Sequence, residues 1–314
     1  MKGLELAKRY YETYGKDVLQ EQFADVLPYL AIGLAGSGSE CYGYDDEASH
    51  DHDFEPAFCI FLPGEDVVDR RTAFQLERAY AKLPKQFMGY ERSPISPVGG
   101  NRHGVIRMEE FFLAKTGTPN GELTTEQWLS VPEYGLLEAT NGAVFCDPYG
   151  QFTAIREVLS RFPEDVRRKK LAGHLLLMGQ AGQYNYGRCI QRGETAAAQL
   201  AVFEFVKSAL HTVYLLNHAY MPYYKWSFRG LRQFARFAAW AQDLEYLLSS
   251  GNTAEEAEKK AGTVERICMA VAEELRAQGL TDLRNAEMEQ QAYAVNDTIA
   301  DHNMRNLHVL YGVS

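Results

Sequence analysis

Two groups of residues in the first fifth of the chain have side chains suited to phosphate and metal chemistry. The first is Gly36-Ser37-Gly38-Ser39, which follows the apolar segment "YLAIGLA". The second is Asp51-His52-Asp53, which precedes the apolar segment "FCIFL". Their closeness in the chain raises the question of whether one binding site uses both.

The glycine-serine stretch has the composition of an anion-binding turn. Gly36 and Gly38 allow the backbone to turn tightly. Such a turn leaves backbone N–H groups and the hydroxyls of Ser37 and Ser39 free to hold a phosphate. We therefore expect phosphate oxygens to bind at Gly36, Ser37 and Ser39.

The aspartate pair has the spacing of a cation site if this segment is extended. Side chains alternate in an extended chain, so Asp51 and Asp53 would share one face. Two converging carboxylates suit Mg²⁺, which prefers oxygen ligands. A zinc site or a His-Asp phosphohydrolase built on His50 and His52 is the alternative, but that pair normally lies on helices, and the aromatic residues downstream favour a strand.

Apolar periodicity predicts a mixed α/β first half. Residues 4–24 and 66–83 have helical spacing, and three short apolar runs between turn residues predict strands. These runs are "FCIFL", "GVIRM" at 104–108 and "GAVFC" at 142–146, in addition to the apolar segment before Gly36.

Beyond Asp147 the segments are helical, with an apolar stripe at residues 202–213 as the clearest example. Proline and glycine in "DPYGQ" place the domain boundary near residue 150. The prediction is an α+β protein with domains at 1–150 and 151–314.

Composition excludes several classes of protein. The 314 residues are 46% hydrophobic and 24% charged, which is typical of a globular protein. The net charge of −10 argues against nucleic acid as a partner. Five scattered cysteines and the absence of a long apolar run indicate a cytoplasmic protein with no membrane span.

The chain resembles the nucleotidyltransferase superfamily. A Gly-Ser turn after an apolar strand, followed by Asp-x-Asp before the next, is similar to the motif of kanamycin-type antibiotic nucleotidyltransferases. The stretches "GSECYGYDDEASHDHDF", "WLSVPEYGLLEATNGAVFCDPYGQFTAIREVL" and "PYYKWSF" are more similar still to an uncharacterised bacterial family of that superfamily.

This resemblance implies a fold and a reaction. The first half would be a nucleotidyltransferase-like mixed sheet, and the helical half would supply an acceptor pocket. Gly36 and Ser37 would hold the triphosphate of ATP or another nucleoside triphosphate, and Asp51 and Asp53 would bind Mg²⁺. An acceptor hydroxyl would attack the α-phosphorus and release pyrophosphate.

The third acid of the superfamily has no obvious counterpart. "GVIRM" occupies the comparable strand, so Glu109 or Glu110 downstream is the candidate, with Asp147 favoured as a turn or capping residue. The general base of the antibiotic enzymes is not located either. The chain is thus expected to be an enzyme transferring a nucleoside monophosphate, or alternatively a nucleotide-binding module that transfers poorly.

Three charged stretches have competing interpretations. Arg188 in "QYNYGR" and Lys225 in "YYKW" lie beside aromatic residues, as expected for cations of a phosphate-binding pocket. Exposed surface charge explains both residues equally well. "RRKK" at 167–170 is expected to be a solvated helix face. Asp45 and Asp46 are expected to form a solvated turn.

Overall fold

The fold is α+β, as the sequence predicts. The structure, a computed structural model, describes residues 1–51, 54–92 and 102–313, with the side chains of His50 and Asp51 left undescribed. Strands are confined to the first half of the described chain, and the second half is helical.

The strands are β1 (Ala31–Leu34), β2 (Cys59–Leu62), β3 (Gln86–Phe87), β4 (Tyr90–Glu91), β5 (Gly104–Arg107) and β6 (Ala143–Cys146). The α-helices are α1 (Gly3–Tyr10), α2 (Lys16–Gln22), α3 (Ser39–Tyr42), α4 (Arg70–Ala81), α5 (Met108–Thr116), α6 (Thr125–Ser130), α7 (Glu133–Thr140), α8 (Gln151–Leu159), α9 (Glu164–Met178), α10 (Tyr186–Gln191), α11 (Thr195–Leu216), α12 (Tyr224–Leu231), α13 (Trp240–Ser249), α14 (Ala254–Ala277), α15 (Met288–Asp297) and α16 (His302–Asn306).

Packing divides the chain into two compact units. Unit 1 comprises residues 1–124 and 131–160, and unit 2 comprises 125–130 and 161–314. The boundary lies ten residues beyond the predicted one because α8 belongs to unit 1. In α8, Phe152 stacks on Phe61 with ring centroids 4.0 Å apart, and Arg156 donates to the carbonyls of Thr140 and Asn141.

The main sheet of unit 1 has the strand order β5-β2-β1-β6. Strand β1 is antiparallel to both of its neighbours, and β2 is parallel to β5. The register pairs Gly33 with Cys59 and Cys59 with Gly104. The carboxyl end of β1 and the amino ends of β2, β5 and β6 therefore meet at one end of the sheet, which we call the turn end.

The two central strands lie at the core because their sequences are apolar on both faces. Every residue of β1 and β2 is buried. Gly33 allows the close approach of β6, since a Cβ there would lie 2.4 Å from the Ala143 carbonyl oxygen. Helices α1 and α4 cover the sheet through Tyr10 and Leu76, which join the core cluster around Phe58.

Unit 2 is built around α9 and α11, and the predicted apolar stripe of α11 is buried as expected. Within the half expected to be helical, residues 232–239 form turns that separate α12 from α13. Among the described helices, none has both the length and the apolar character needed to cross a bilayer.

The predicted solvated face at 167–170 is wrong. Arg167, Lys169 and Lys170 are 4%, 0% and 5% exposed, because each side chain reaches a different set of acceptors. The Lys169 ammonium donates to Asn296 and to the Leu307 carbonyl, and Lys170 donates to the carbonyls of Leu129 and Gly312. The run thus fixes α9 to the carboxyl-terminal segment of the chain.

Unit 2 also contains a stacked histidine pair between α9 and α11, in which His174 is buried and His211 is half-buried. The rings of His174 and His211 stack at 4.3 Å with an interplanar angle of 4°. Nδ1 of His174 has no hydrogen-bond partner among the described residues. Burial, with the nearby charges of His211, Lys170 and Lys207, holds the pKa of His174 well below its ordinary value of 6.5.

We expect this histidine to make stability fall with acid. Below pH 6.5 the unfolded chain binds a proton at His174 that the folded chain rejects, so the free energy of unfolding falls as the pH drops. The slope from one such proton approaches about 1.4 kcal/mol per pH unit. Urea unfolding between pH 5.5 and 7.5 should show a shallower dependence in His174→Leu, and exposed His302→Gln is the control. An unaltered slope in His174→Leu would contradict the assignment.

Candidate functional site

The glycine-serine turn lies at the turn end of the sheet, directly after β1. Gly36 and Gly38 have φ angles of 112° and 132°, which side chains rarely allow, so the predicted tight turn is confirmed. Asn141, just before β6, holds this turn through two hydrogen bonds to Gly36. The Gly36 N–H donates to Asn141 Oδ1, and Asn141 Nδ2 donates to the Gly36 carbonyl, both at 2.9 Å.

Ser37 is the centre of a polar cluster that the sequence does not predict. Its hydroxyl donates to Glu138 Oε2 at 2.8 Å, and the Lys115 ammonium donates to the same hydroxyl at 2.8 Å. Lys115 also contacts Glu138 Oε2 at 2.6 Å, and the Tyr42 hydroxyl donates to Oε1 at 2.9 Å. We call Ser37, Tyr42, Lys115 and Glu138 the Ser37 cluster. The Ser37 hydroxyl is therefore already hydrogen-bonded, which corrects the expectation that it is free to hold a phosphate.

The charge state of the cluster follows from these contacts. Burial tends to raise the pKa of Glu138, but hydrogen bonds from Lys115, Ser37 and Tyr42 outweigh it, so the pKa lies below its ordinary value. Burial and the same carboxylate raise the pKa of Tyr42. At neutral pH the cluster therefore contains an ionised Glu138, a neutral tyrosine and a lysine paired with the carboxylate.

A second cation reaches the turn from the segment before β5. The Arg102 guanidinium donates to the Ser37 carbonyl at 3.0 Å and lies 3.4 Å from Glu40 Oε1. The side chains of Arg102 and Lys115 are 30% and 20% exposed, and Ser37 itself is exposed. The exposed residue Ser37 thus contacts one cation through its hydroxyl and another through its carbonyl, and such cations suit phosphate oxygens.

The packing of α5 against α7 positions Lys115 beside Glu138. Helix α5 begins after β5, at the far end of the sheet, and its length of nine residues returns the chain to the turn end at Lys115. Gly135 in α7 allows the close approach, because a Cβ there would lie 2.3 Å from the Lys115 carbonyl oxygen. Glu138 follows Gly135 by about one helical turn.

Glu109 does not join the glycine-serine turn. It lies in the first turn of α5, immediately after β5, and the register pairs Arg107 with Leu62 at the carboxyl end of β2. Because β1 runs antiparallel to β2, Gly36 and Ser37 lie at the opposite end of the sheet from Glu109. The candidate third acid is thus separated from the turn by the length of the strands.

The aspartate segment is only partly described. Asp51 ends a 3₁₀ helix at Glu47–Asp51, so its backbone is not extended as predicted, and β2 begins at Cys59. Local hydrogen bonds between Asp46 and Ser49 favour the helical turn. The side chain of Asp51 and all of Asp53 lie outside the described residues.

The other predicted residues have varied environments. Ser39 is half-buried and begins α3. Asp45 is 3% exposed, and its carboxylate accepts from the Gly3 N–H, so it is not a solvated turn residue. Asp147 accepts from Gly150 and Thr153 at the start of α8, which confirms its capping role.

Arg188 and Lys225 both lie in unit 2 and are exposed. Arg188 donates to the Tyr184 hydroxyl at 2.8 Å and lies 4.9 Å from the centre of its ring. Lys225 lies 5.2 Å from the ring centre of Trp226. Each cation is thus paired with an aromatic side chain of its own segment.

Comparison with known proteins gives one match. Residues 128–227, about a third of the chain, match a family described as "Domain of unknown function (DUF4037)". This segment includes Glu138 and Asn141 of the turn end. No curated protein and no solved structure matches the chain.

Proposed function

We propose that the protein is a Mg²⁺-dependent nucleotidyltransferase. It would move a nucleoside monophosphate, most simply AMP from ATP, to a hydroxyl of a small polar molecule or a macromolecule. The convergence of Lys115 and Arg102 on Ser37 carries the proposal, because it adds two cations to the glycine-serine turn predicted to hold phosphate.

The topology of unit 1 supports the same proposal. The chain enters β2 at the turn end, so the aspartate segment precedes the strand end that faces the glycine-serine turn. Carboxylate oxygens are the donors that Mg²⁺ prefers, and Asp51 and Asp53 would hold it. When bound, Mg²⁺ would neutralise charge on the triphosphate.

The residues of the turn end would bind and orient the triphosphate. An ammonium group has three N–H donors, and Ser37 and Glu138 take two of those of Lys115 among the described residues. The third N–H would bind a phosphate oxygen, while the hydroxyl of Ser37 would reorient towards another. The acceptor oxygen would then bond to the α-phosphorus as the bond to the pyrophosphate oxygen breaks, and the acceptor proton would pass to solvent.

An alternative function follows from the position of Glu109. Among the described residues, the carboxylates near the turn are Glu138 and Glu40, and both are paired with cations. A protein without a third metal-binding acid would bind nucleotide and transfer poorly. Release of pyrophosphate from labelled ATP, measured with a panel of metabolites and antibiotics, separates the enzyme from this nucleotide-binding module.

We expect Asp51→Asn with Asp53→Asn to remove the Mg²⁺ dependence of nucleotide binding. The substitutions keep side-chain size and eliminate both negative charges that would attract the cation. Calorimetric titration of ATP with and without Mg²⁺ measures the effect, and circular dichroism verifies the fold. Asp17→Asn with Asp25→Asn, two exposed acids of unit 1, makes the matched charge change. If Mg²⁺ strengthens binding equally in both variants, the aspartates are not its ligands.

A further inference from the structure

Unit 2 contains a cavity of about 220 Å³ between the start of α9 and the end of α11. Its lining residues all belong to this unit, and none is a member of the Ser37 cluster. Its lining is rich in nitrogen-bearing side chains and includes Arg161, Phe162, Glu164, Arg167, Leu215 and His218.

Arg167 is the fixed element of the cavity wall. It is 4% exposed, and its Nε and NH2 groups donate to the two oxygens of Glu164 at 2.9 and 2.7 Å. NH1 donates to the Leu215 carbonyl at 3.1 Å. A guanidinium has five N–H donors, so two remain beyond these three contacts.

The carboxylate in the wall does not balance the cations around it. Glu164 accepts from Arg168 as well as from Arg167, and these two cations lower its pKa to about 2. Arg161 adds an exposed guanidinium on the segment before α9. The positive charges of the two lining arginines and Arg168 therefore outnumber the single negative charge of Glu164.

His218 adds a further nitrogen donor and is held in an unusual backbone conformation. Its φ is 52°, and the other described non-glycine residue with positive φ is Met88. The His218 N–H donates to the Leu215 carbonyl and the Ala219 N–H to the Tyr214 carbonyl, so His218 forms the C-terminal cap of α11 and its position is fixed by that helix. His218 is exposed to solvent, but partial desolvation and the neighbouring Arg167 lower its pKa, so the ring is a proton acceptor that a nearby anion would help to charge.

We propose that this cavity binds a small tetrahedral oxyanion, either inorganic phosphate or the phosphate of a small phosphomonoester. The spare donors of Arg167 would contact its oxygens, with Arg161 and His218 closing over it. The cavity is large enough for a small organic group beside the ring of Phe162. The inference does not depend on the proposed nucleotidyltransferase activity.

The test compares two substitutions that act on binding and leave Arg167 intact. Calorimetry at low ionic strength with sulfate, phosphate and glycerol phosphate should show about tenfold weaker binding in Arg161→Gln, since a charge-assisted contact is worth roughly one decade. His218→Gly should also bind more weakly. Its melting temperature should be equal or higher, because glycine adopts the left-handed conformation readily. Arg192→Gln, at an exposed arginine of unit 2, is the charge control.

The pH dependence gives a second readout. Sulfate keeps both charges between pH 5 and 7, and Glu164, whose pKa is lowered to about 2, stays ionised, so the group of the lining expected to titrate in this range is His218. Sulfate affinity should therefore rise as the pH falls in the wild type and stay flat in His218→Gly.

The outcomes of these titrations identify the ligand, assign the site or overturn the proposal. Tighter binding of glycerol phosphate than of phosphate identifies a phosphomonoester site, and equal binding identifies a phosphate site. Persistence of anion binding in Lys115→Met assigns it to this cavity rather than to the Ser37 cluster. Wild-type affinity in both Arg161→Gln and His218→Gly, or an equal loss in Arg192→Gln, overturns the proposal.

Discussion

Lys115→Met should weaken the binding of ATP with Mg²⁺ by one to two orders of magnitude. The ammonium lies 2.8 Å from Ser37 Oγ and keeps solvent access, so it is placed to bind a phosphate oxygen at the glycine-serine turn. A hydrogen bond to a charged group contributes about 1.5–3 kcal/mol, which corresponds to about ten- to a hundredfold in affinity. Titration calorimetry on the folded variant measures the change.

A second variant separates binding from stability. Lys115→Met alone leaves the buried carboxylate of Glu138 without its cation, which should also lower stability by about 1–3 kcal/mol. Adding Glu138→Gln removes that charge, while its amide still offers an acceptor to Tyr42 and a donor to Ser37. Stability should recover in the double variant and ATP affinity should stay low.

The matched control for this prediction is Lys82→Met. Lys82 is an exposed lysine at the end of α4 in the same unit, so the substitution removes one positive charge away from the turn. ATP affinity in Lys82→Met should equal that of the wild type. If the double variant Lys115→Met with Glu138→Gln also binds ATP normally, the Ser37 cluster does not hold the triphosphate.

The central strands were predictable because their local sequence determines their environment. Residues 31–34 and 59–62 are apolar without interruption and are bounded by turn residues, so burial on both faces is the simplest outcome. The glycines at 36 and 38 and the cap at Asp147 were predictable for a similar reason. In each case the residue types at a few consecutive positions carry the prediction: glycines that accept positive φ in the turn, and an aspartate within reach of the Thr153 N–H at the cap.

The contacts of Ser37 were not predictable because they join distant segments. Ser37 is 101 residues from Glu138 and 78 from Lys115, and no local pattern indicates either partner. The burial of residues 167–170 in unit 2 was unpredictable for the same reason. A run of four cations has the composition of a solvated surface, and its burial depends on carbonyl groups as distant as Gly312, 142 residues from Lys170.

The 3₁₀ helix at Glu47–Asp51 shows how a local interaction can change a motif's geometry. The expectation that Asp51 and Asp53 share one face assumes extended backbone, yet hydrogen bonds between Asp46 and Ser49 favour a helical turn that ends at Asp51. The position of Glu109, by contrast, follows from strand order, which the sequence alone does not specify.

Gly135→Ala tests whether helix packing positions the Ser37 cluster. The new Cβ would lie 2.3 Å from the Lys115 carbonyl oxygen, a backbone atom that can move only if α5 and α7 separate. Overpacking of this kind costs about 1–3 kcal/mol, and the same displacement would move Glu138 away from Lys115. We therefore expect reduced stability in urea unfolding followed by circular dichroism, together with weaker ATP binding.

Gly262→Ala makes the same substitution in an open environment and should have the opposite effect on stability. Gly262 is an exposed residue inside α14, and the nearest atom to its added Cβ is the Arg266 guanidinium at 4.0 Å. Alanine is favoured over glycine in a helix interior by about 0.8–1 kcal/mol, so this variant should be more stable and bind ATP normally. If Gly135→Ala were likewise stabilised and bound ATP as the wild type does, the close contact between α5 and α7 would not be what holds Lys115 and Glu138 at the turn.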